Sequence, residues 1–312
     1  MSKSQFTIQN PASKTVYVIA GPTAVGKTSI AINLAKKLQT EIVSADSRQC
    51  YREMTIGTAK PTAAELAEVK HYFINEFPVT DNITAADYEH LSLQYLEKIF
   101  QTHQTAVVCG GTGLYIKALT HGLDEMPSIN ADVAQEINEM YEKHGLTWLQ
   151  EALRKEDPQF FAQAEQQNPA RLLRALIFSR STGKSITGFR TGARKERPFN
   201  IVRIALDLPR ELLYERINKR VDLMIEDGLV EEVRHLQPFK SQKSLQTVGY
   251  AELFDFFEGK CSLQDAVNKI KQHTRNYAKR QLTWFRKEED NHWLHANDPL
   301  VVEKILSIKA VN

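Results

Sequence analysis

Eight consecutive residues, Gly21-Pro22-Thr23-Ala24-Val25-Gly26-Lys27-Thr28, limit the folds open to this chain more than any other feature. They keep the spacing G-x-x-x-x-G-K-[ST] and stand between an apolar run, Val16 to Ala20, and a helical pattern, Ser29 to Leu38. A loop of this kind between a strand and a helix turns successive backbone N–H groups and a helix N-terminus toward one point, which suits a polyphosphate. Lys27 offers a cation to the terminal phosphate, and Thr28 a hydroxyl to Mg²⁺. A glycine-rich turn that merely happens to contain a lysine has no need of such flanks. The motif names phosphates in the ligand and leaves the chemistry open.

Further short apolar runs occur at residues 42–45, Ala106 to Cys109 and Ile201 to Leu206. They are continuous rather than alternating and are separated by helical patterns, as expected of parallel strands covered on both faces. The expected fold is α/β, a P-loop NTPase-like parallel sheet flanked by helices, with its ligand at the carboxyl ends of the strands. Between Gly122 and Arg197 strand signals vanish, and helical segments appear with breaks at Gly145, Pro158 and Pro169. Apolar spacing at Val133, Ile137, Met140 and Tyr141, and again at Leu172, Leu173, Leu176 and Ile177, gives these helices faces to pack. The expected organisation is a core of residues 1–121 and 198–312 with a helical insertion at 122–197. The core ends in helices carrying Leu213, Ile217, Val221 and Met224 on one face, and Leu263, Val267, Ile270, Thr274 and Tyr277 on another.

With 312 residues and 42% hydrophobic content, the chain can bury a full core. No apolar run approaches the ~20 residues of a membrane span, and Met1 to Lys14 lacks a charged start followed by an apolar stretch. A cytoplasmic protein without a membrane partner is expected. Cys50, Cys109 and Cys261 are odd in number and far apart, which fits neither a disulfide framework nor a metal knuckle. With no apolar heptad seam, a monomer is expected.

The net charge is only +2, so the distribution of charge must decide about nucleic acid. Lys269, Lys271, His273, Arg275, Lys279, Arg280, Arg286 and Lys287 alternate with Tyr277, Trp284 and Phe285. A second basic stretch, Arg180 to Arg197, lies among Ser, Thr and Gly.

Asp46 follows the second apolar run and therefore stands at a strand end facing the phosphate loop. Three roles suit it there: a base, a Mg²⁺ ligand acting through water, or a cap for the next helix. The acidic residue that a nucleotide hydrolase places after another strand is missing, since Ala106-Val107-Val108-Cys109 runs into Gly110-Gly111-Thr112-Gly113. Paired glycines at a strand end admit a close ligand or backbone, or simply form a tight turn. Arg216 and Arg220 are four apart on one helical stripe. They can reach one anion together or form a solvated basic face.

Taken together, Gly-Pro-Thr-x-x-Gly-Lys-Thr, Asp46-Ser47, Ile56-Gly57-Thr58-Ala59-Lys60-Pro61 and Gly110-Gly111-Thr112-Gly113-Leu114-Tyr115 resemble the bacterial tRNA dimethylallyltransferase family. Asn168-Pro169-Ala170-Arg171, Arg216-Ile217, Arg220-Val221, Val248-Gly249-Tyr250 and Lys279-Arg280-Gln281 with Trp284 extend the likeness from about Val16 to Leu294. The resemblance implies transfer of a dimethylallyl group from dimethylallyl diphosphate to the exocyclic amine of the adenine 3′ of the anticodon, in tRNAs that read codons beginning with U. The phosphate loop then becomes a diphosphate site rather than an ATP site. By similarity Gly21, Thr23, Ala24, Val25, Gly26, Lys27 and Thr28 bind the diphosphate with Mg²⁺, joined by Arg220. Asp46, Thr23 and Arg220 are implied as catalytic.

The resemblance also places residues against the tRNA anticodon stem-loop. These are Asp46, Ser47, Arg48, Gln49, Thr112, Gln167, Asn168, Pro169, Ala170, Arg171, Gln246, Val248, Gly249, Tyr250, Lys279 and Arg280. Many relatives carry arginine where this chain has Ala134 and Gln246, which implies weaker or altered RNA contacts. No C-terminal zinc finger of the eukaryotic kind is present in the sequence, which favours the bacterial form. The competing expectations are a P-loop kinase or an isopentenyltransferase acting on free nucleotides, and a noncatalytic RNA-binding module.

Overall fold

A computed structural model describes residues 14–309. The reading of Met1 to Lys14 as free of a secretory segment therefore falls, Lys14 apart, outside the described residues. The chain runs β1 (Thr15–Ala20), α1 (Lys27–Leu38), β2 (Ile42–Ser44), α2 (Ala63–Glu68), β3 (His71–Tyr72), α3 (Ala85–Ile99), β4 (Thr105–Gly110) and α4 (Gly113–His121). Three helices follow, α5 (Ala131–Glu156), α6 (Pro158–Gln163) and α7 (Pro169–Thr182), then a 3-10 turn at Ile186–Phe189. The chain ends in β5 (Asn200–Asp207), α8 (Arg210–Glu226), α9 (Leu229–His235), α10 (Ala251–Phe257), α11 (Leu263–Arg286), β6 (His292–His295) and α12 (Val301–Ser307).

The strands form one sheet in the order β3-β2-β4-β1-β5-β6, and every pairing is parallel. Side chains alternate across it as the two-residue period requires. Val16, Val18, Ala106 and Val108 pack on one face, and Ile19, Val107 and Ile204 on the other with α1 and α8. Both faces are covered, which explains why the strands read as unbroken apolar runs. Edge strands β3 and β6 had no such signal. Both are short and only half buried or exposed.

The register brings strand ends together: Ala20 lies opposite both Gly110 and Ala205, and the Ala45 N–H donates to the Cys109 carbonyl at 2.8 Å. A Cβ on Gly110 would lie 2.2 Å from the Ala45 carbonyl oxygen, so the strand-end pair needs close approach here rather than a special backbone angle.

The chain divides into two compact units, residues 1–120 with 196–312, and residues 121–195. The second is all helical. Ile137, Leu149, Leu153, Phe160, Leu172 and Leu176 form its core, and α5 is kinked at Gly145. Among the described residues no helix is long and apolar enough to cross a membrane.

Candidate active site

The phosphate loop joins β1 to α1. Ala24 and Gly26 take positive φ angles of 63° and 104° around Val25, which curls the backbone before the helix starts at Lys27. Gly26 is the helix N-cap without a side-chain cap bond, so the first amides of α1 are left for a ligand. Gly21, Ala24 and Val25 are buried, so they contribute backbone only.

Cations gather at this point. The Lys27 ammonium donates to the Pro22 carbonyl at 2.7 Å. Burial pulls its pKa down to about 8; neighbouring Asp46 opposes that shift and Arg220 adds to it. Arg220 is itself held below the usual arginine range by burial and by Arg216. The two arginines of the α8 stripe divide the work. Arg216 donates to the Val25 carbonyl at 3.4 Å and to Asn297 at 2.7 Å, bracing the loop from outside, while Arg220 opens into the cavity. Positive charge concentrated in a half-buried pocket needs an anion to offset it.

The cavity has a volume of about 640 Å³ and brings Thr23, Asp46, Arg48, Arg220, Tyr277 and Arg280 onto one wall system. Asp46 Oδ1 accepts the N–H groups of Arg48 at 2.9 Å and Gln49 at 3.3 Å. The capping role is therefore real for one oxygen, in a turn that fixes the carboxylate beside the phosphate loop. Its charge reaches Lys27 and also Tyr277, whose hydroxyl is pushed up to about 12 chiefly by burial. Thr112 holds the Asp46 turn from behind: its Oγ1 accepts the Ser47 N–H at 3.0 Å, and its own N–H donates to Ala45. Gln49 points inward, its amide donating to the Thr58 and Ala59 carbonyls at 3.2 and 3.1 Å.

Two residues outside the sequence expectations organise this site. Gln281, buried on α11, accepts the Thr23 N–H at 2.8 Å and donates to the Gly111 carbonyl at 2.9 Å, tying the phosphate loop to the end of β4. Glu232 on α9 accepts the N–H groups of Thr55, Ile56 and Gly57 and the Tyr250 hydroxyl, and so fixes the loop at 55–60. Only the Lys279-Arg280-Gln281 motif hinted at the first, and no local pattern marked the second. Replacing Gln281 with leucine strips partners from Thr23 and Gly111 and is expected to cost about 1–3 kcal/mol of stability. Urea unfolding measures this, with pyrophosphate restoring part of the loss by bonding Thr23; an unchanged midpoint would contradict the tie.

Other residues anticipated from the resemblance are distributed unevenly. Gln246, Val248 and Gly249 line the same cavity. Tyr250 departs from expectation: it has no exposed surface and bonds Glu232, so its side chain supports the loop and is not presented to RNA. Lys279 and Arg280 are exposed on α11, where Trp284 lies against Gly113. In the helical unit Asn168 caps α7 by accepting the Arg171 N–H, Pro169 starts that helix, and Gln167, Ala170 and Arg171 are exposed.

Part of the basic charge is committed to partners within the chain. Arg180 pairs with Glu156, Arg197 with Glu89, Lys271 with Asp222, and Arg275 donates to Asn218.

Residues 49–288 match the family described as IPP transferase. A tRNA dimethylallyltransferase of Christiangramia forsetii is 46% identical over 280 residues, covering 90% of this chain and 93% of its own length. One of the same name from Cytophaga hutchinsonii is 41% identical, covering 95% and 98%. Among solved structures, the full-length tRNA isopentenylpyrophosphate transferase of Bacillus halodurans is similar at a TM-score of 0.69 and 36% identity, over 94% of this chain and 93% of that one. A eukaryotic dimethylallyltransferase described as acting on tRNA gives 0.74 at 27% identity, over 92% of this chain and 75% of its own.

Proposed function

The chain belongs to the IPP transferase family, and from that premise we propose that it transfers a dimethylallyl group from dimethylallyl diphosphate to the exocyclic amine of the adenine 3′-adjacent to the anticodon, giving isopentenyladenosine. One observation carries the reading: Thr23 of the phosphate loop, Arg220 and Asp46 line the same cavity, with Arg48 and Arg280 on its wall.

The reaction makes one bond and breaks another. The adenine nitrogen attacks the allylic carbon, the carbon–oxygen bond to diphosphate breaks, and the nitrogen's proton passes to Asp46. As the bond to the leaving group lengthens, negative charge grows on the diphosphate. The uncapped first amides of α1, with Lys27 and Arg220, are the groups that would stabilise that charge. The amine is a weak nucleophile because its lone pair is delocalised into the ring. Asp46, fixed by its turn with Arg48 and Gln49, orients it and accepts the proton as the new bond forms.

Mg²⁺ would be held by the Thr28 hydroxyl together with the substrate's own phosphate oxygens, and when bound would offset charge on the leaving group. The acceptor base must leave the anticodon-loop stack to reach this depth, which calls for phosphate and stacking contacts along its path. Ser47, Arg48, Thr112, Gln246, Val248, Lys279 and Arg280, and Gln167 to Arg171 in the helical unit, are the contacts assigned to it. An acceptor as small as AMP leaves those in the helical unit without a purpose.

The reading is tested by incubating the protein with Mg²⁺, dimethylallyl diphosphate and an unmodified tRNA bearing adenine 3′ of its anticodon, then digesting the RNA to nucleosides. Isopentenyladenosine at that position is the expected product. Its absence, with intact tRNA bound, would refute the assignment.

A further inference from the structure

The helical unit has a cavity of its own, about 250 Å³, lined by Phe160, Gln163, Arg171, Thr187 and Arg190. Phe160 is fixed in the unit's core. The guanidinium carbons of Arg171 and Arg190 stand over its ring at 5.9 and 6.0 Å from the centroid. A guanidinium that rests on an aromatic face keeps its N–H groups in its own plane, free to grip an anion. Thr187 Oγ1 already accepts the Ser185 hydroxyl at 3.1 Å, so its own hydroxyl proton is available to an acceptor. Gln163 brings an amide to the same wall.

What the pocket gathers is charge of one sign. The groups that act on Arg190 are Arg171 and Arg174, with Asp124 opposing them, and that carboxylate already accepts the Thr191 hydroxyl at 2.6 Å. Burial and the two neighbouring arginines hold Arg190 below the usual arginine range. Cations brought together around one cavity focus a field that attracts an anion. The donor set, planar forks with a hydroxyl and an amide, suits tetrahedral phosphate oxygens.

We propose that this pocket is a phosphate-group site and that a backbone phosphate of the RNA fills it, an inference that rests on the tRNA reading above. The resemblance reached only Arg171 of these residues. Arg190, Thr187 and Phe160 are new to the interface.

Free inorganic phosphate offers the same chemistry, so the test separates the two sources. Phenylglyoxal labelling followed by peptide mass spectrometry reads Arg190 independently of the diphosphate cradle. Unmodified tRNA is expected to slow labelling of Arg190 about tenfold, and inorganic phosphate at the same concentration to leave it unchanged. Equal protection by phosphate would assign the pocket to free anions and overturn the RNA half of the proposal; no protection by either would overturn the site.

In parallel, Arg190→Gln is expected to weaken tRNA binding roughly five- to tenfold and to make the salt dependence shallower by about one. The loss should fall on KM for tRNA rather than on kcat, with Arg190→Lys intermediate. Unchanged affinity and slope would contradict the proposal. If the wild type fails to bind tRNA at all, the functional reading itself fails; if it binds tRNA with Arg190 unprotected, only the pocket does.

Discussion

Replacing Lys27 with methionine is expected to lower kcat/KM for dimethylallyl transfer by about 10³-fold, the scale seen when one preorganised donor is removed from developing negative charge. The fold should survive, because methionine keeps the apolar stem and removes a cation whose burial is unfavourable. The same residue sets a pH dependence whose sign follows from its depressed pKa. The free protein loses the Lys27 proton as pH rises through about 8. A bound diphosphate favours the protonated form and so raises that pKa. Affinity is therefore full below about 8 and falls as pH rises above it, by up to about tenfold per pH unit until the complex titrates as well. Calorimetric titration with pyrophosphate on both sides of pH 8 should show this fall in the wild type and its absence in Lys27→Met. A flat wild-type profile would place the lysine outside the anion site.

Asp46→Asn carries the second large effect, an expected loss of about 10²- to 10⁴-fold in transfer, with pyrophosphate affinity kept within about threefold. Asparagine retains an oxygen to accept the Arg48 and Gln49 N–H groups, so the turn remains while the proton acceptor is lost. The substitution thus separates the capping role, visible in the structure, from the base role assigned on chemical grounds. Single-turnover transfer with both substrates saturating is the measurement. Activity equal to wild type would leave Asp46 as a cap and no more.

How far the sequence revealed this molecule depended on the range of the interaction. Strands β1, β2, β4 and β5 could be read because each is apolar on both faces, whereas β3 and β6 lie at sheet edges, where polar residues such as His71 and His292 leave no hydrophobic run. The phosphate loop and the Asp46 turn are local in the chain and were legible for that reason. Gln281 lies 258 residues from the Thr23 amide it holds, and Glu232 is 175 residues from Gly57. No periodicity marks such partners. Basic charge was the least transparent signal, since a count of arginines cannot separate Arg197, buried against Glu89 and the Leu119 and Ala118 carbonyls, from Arg280 on a cavity wall. The pair Arg216 and Arg220 shows the same limit. Their spacing put them on one stripe, and only the tertiary structure assigned one to bracing and the other to the cavity.

On the proposed function, the diphosphate site and Asp46 serve a tRNA acceptor. The most direct test offers radiolabelled dimethylallyl diphosphate and Mg²⁺ to the protein with unmodified tRNA, AMP and ADP in the same reaction. Label on the tRNA alone is the predicted result. Label on the free nucleotides, or on none of the three, would contradict it.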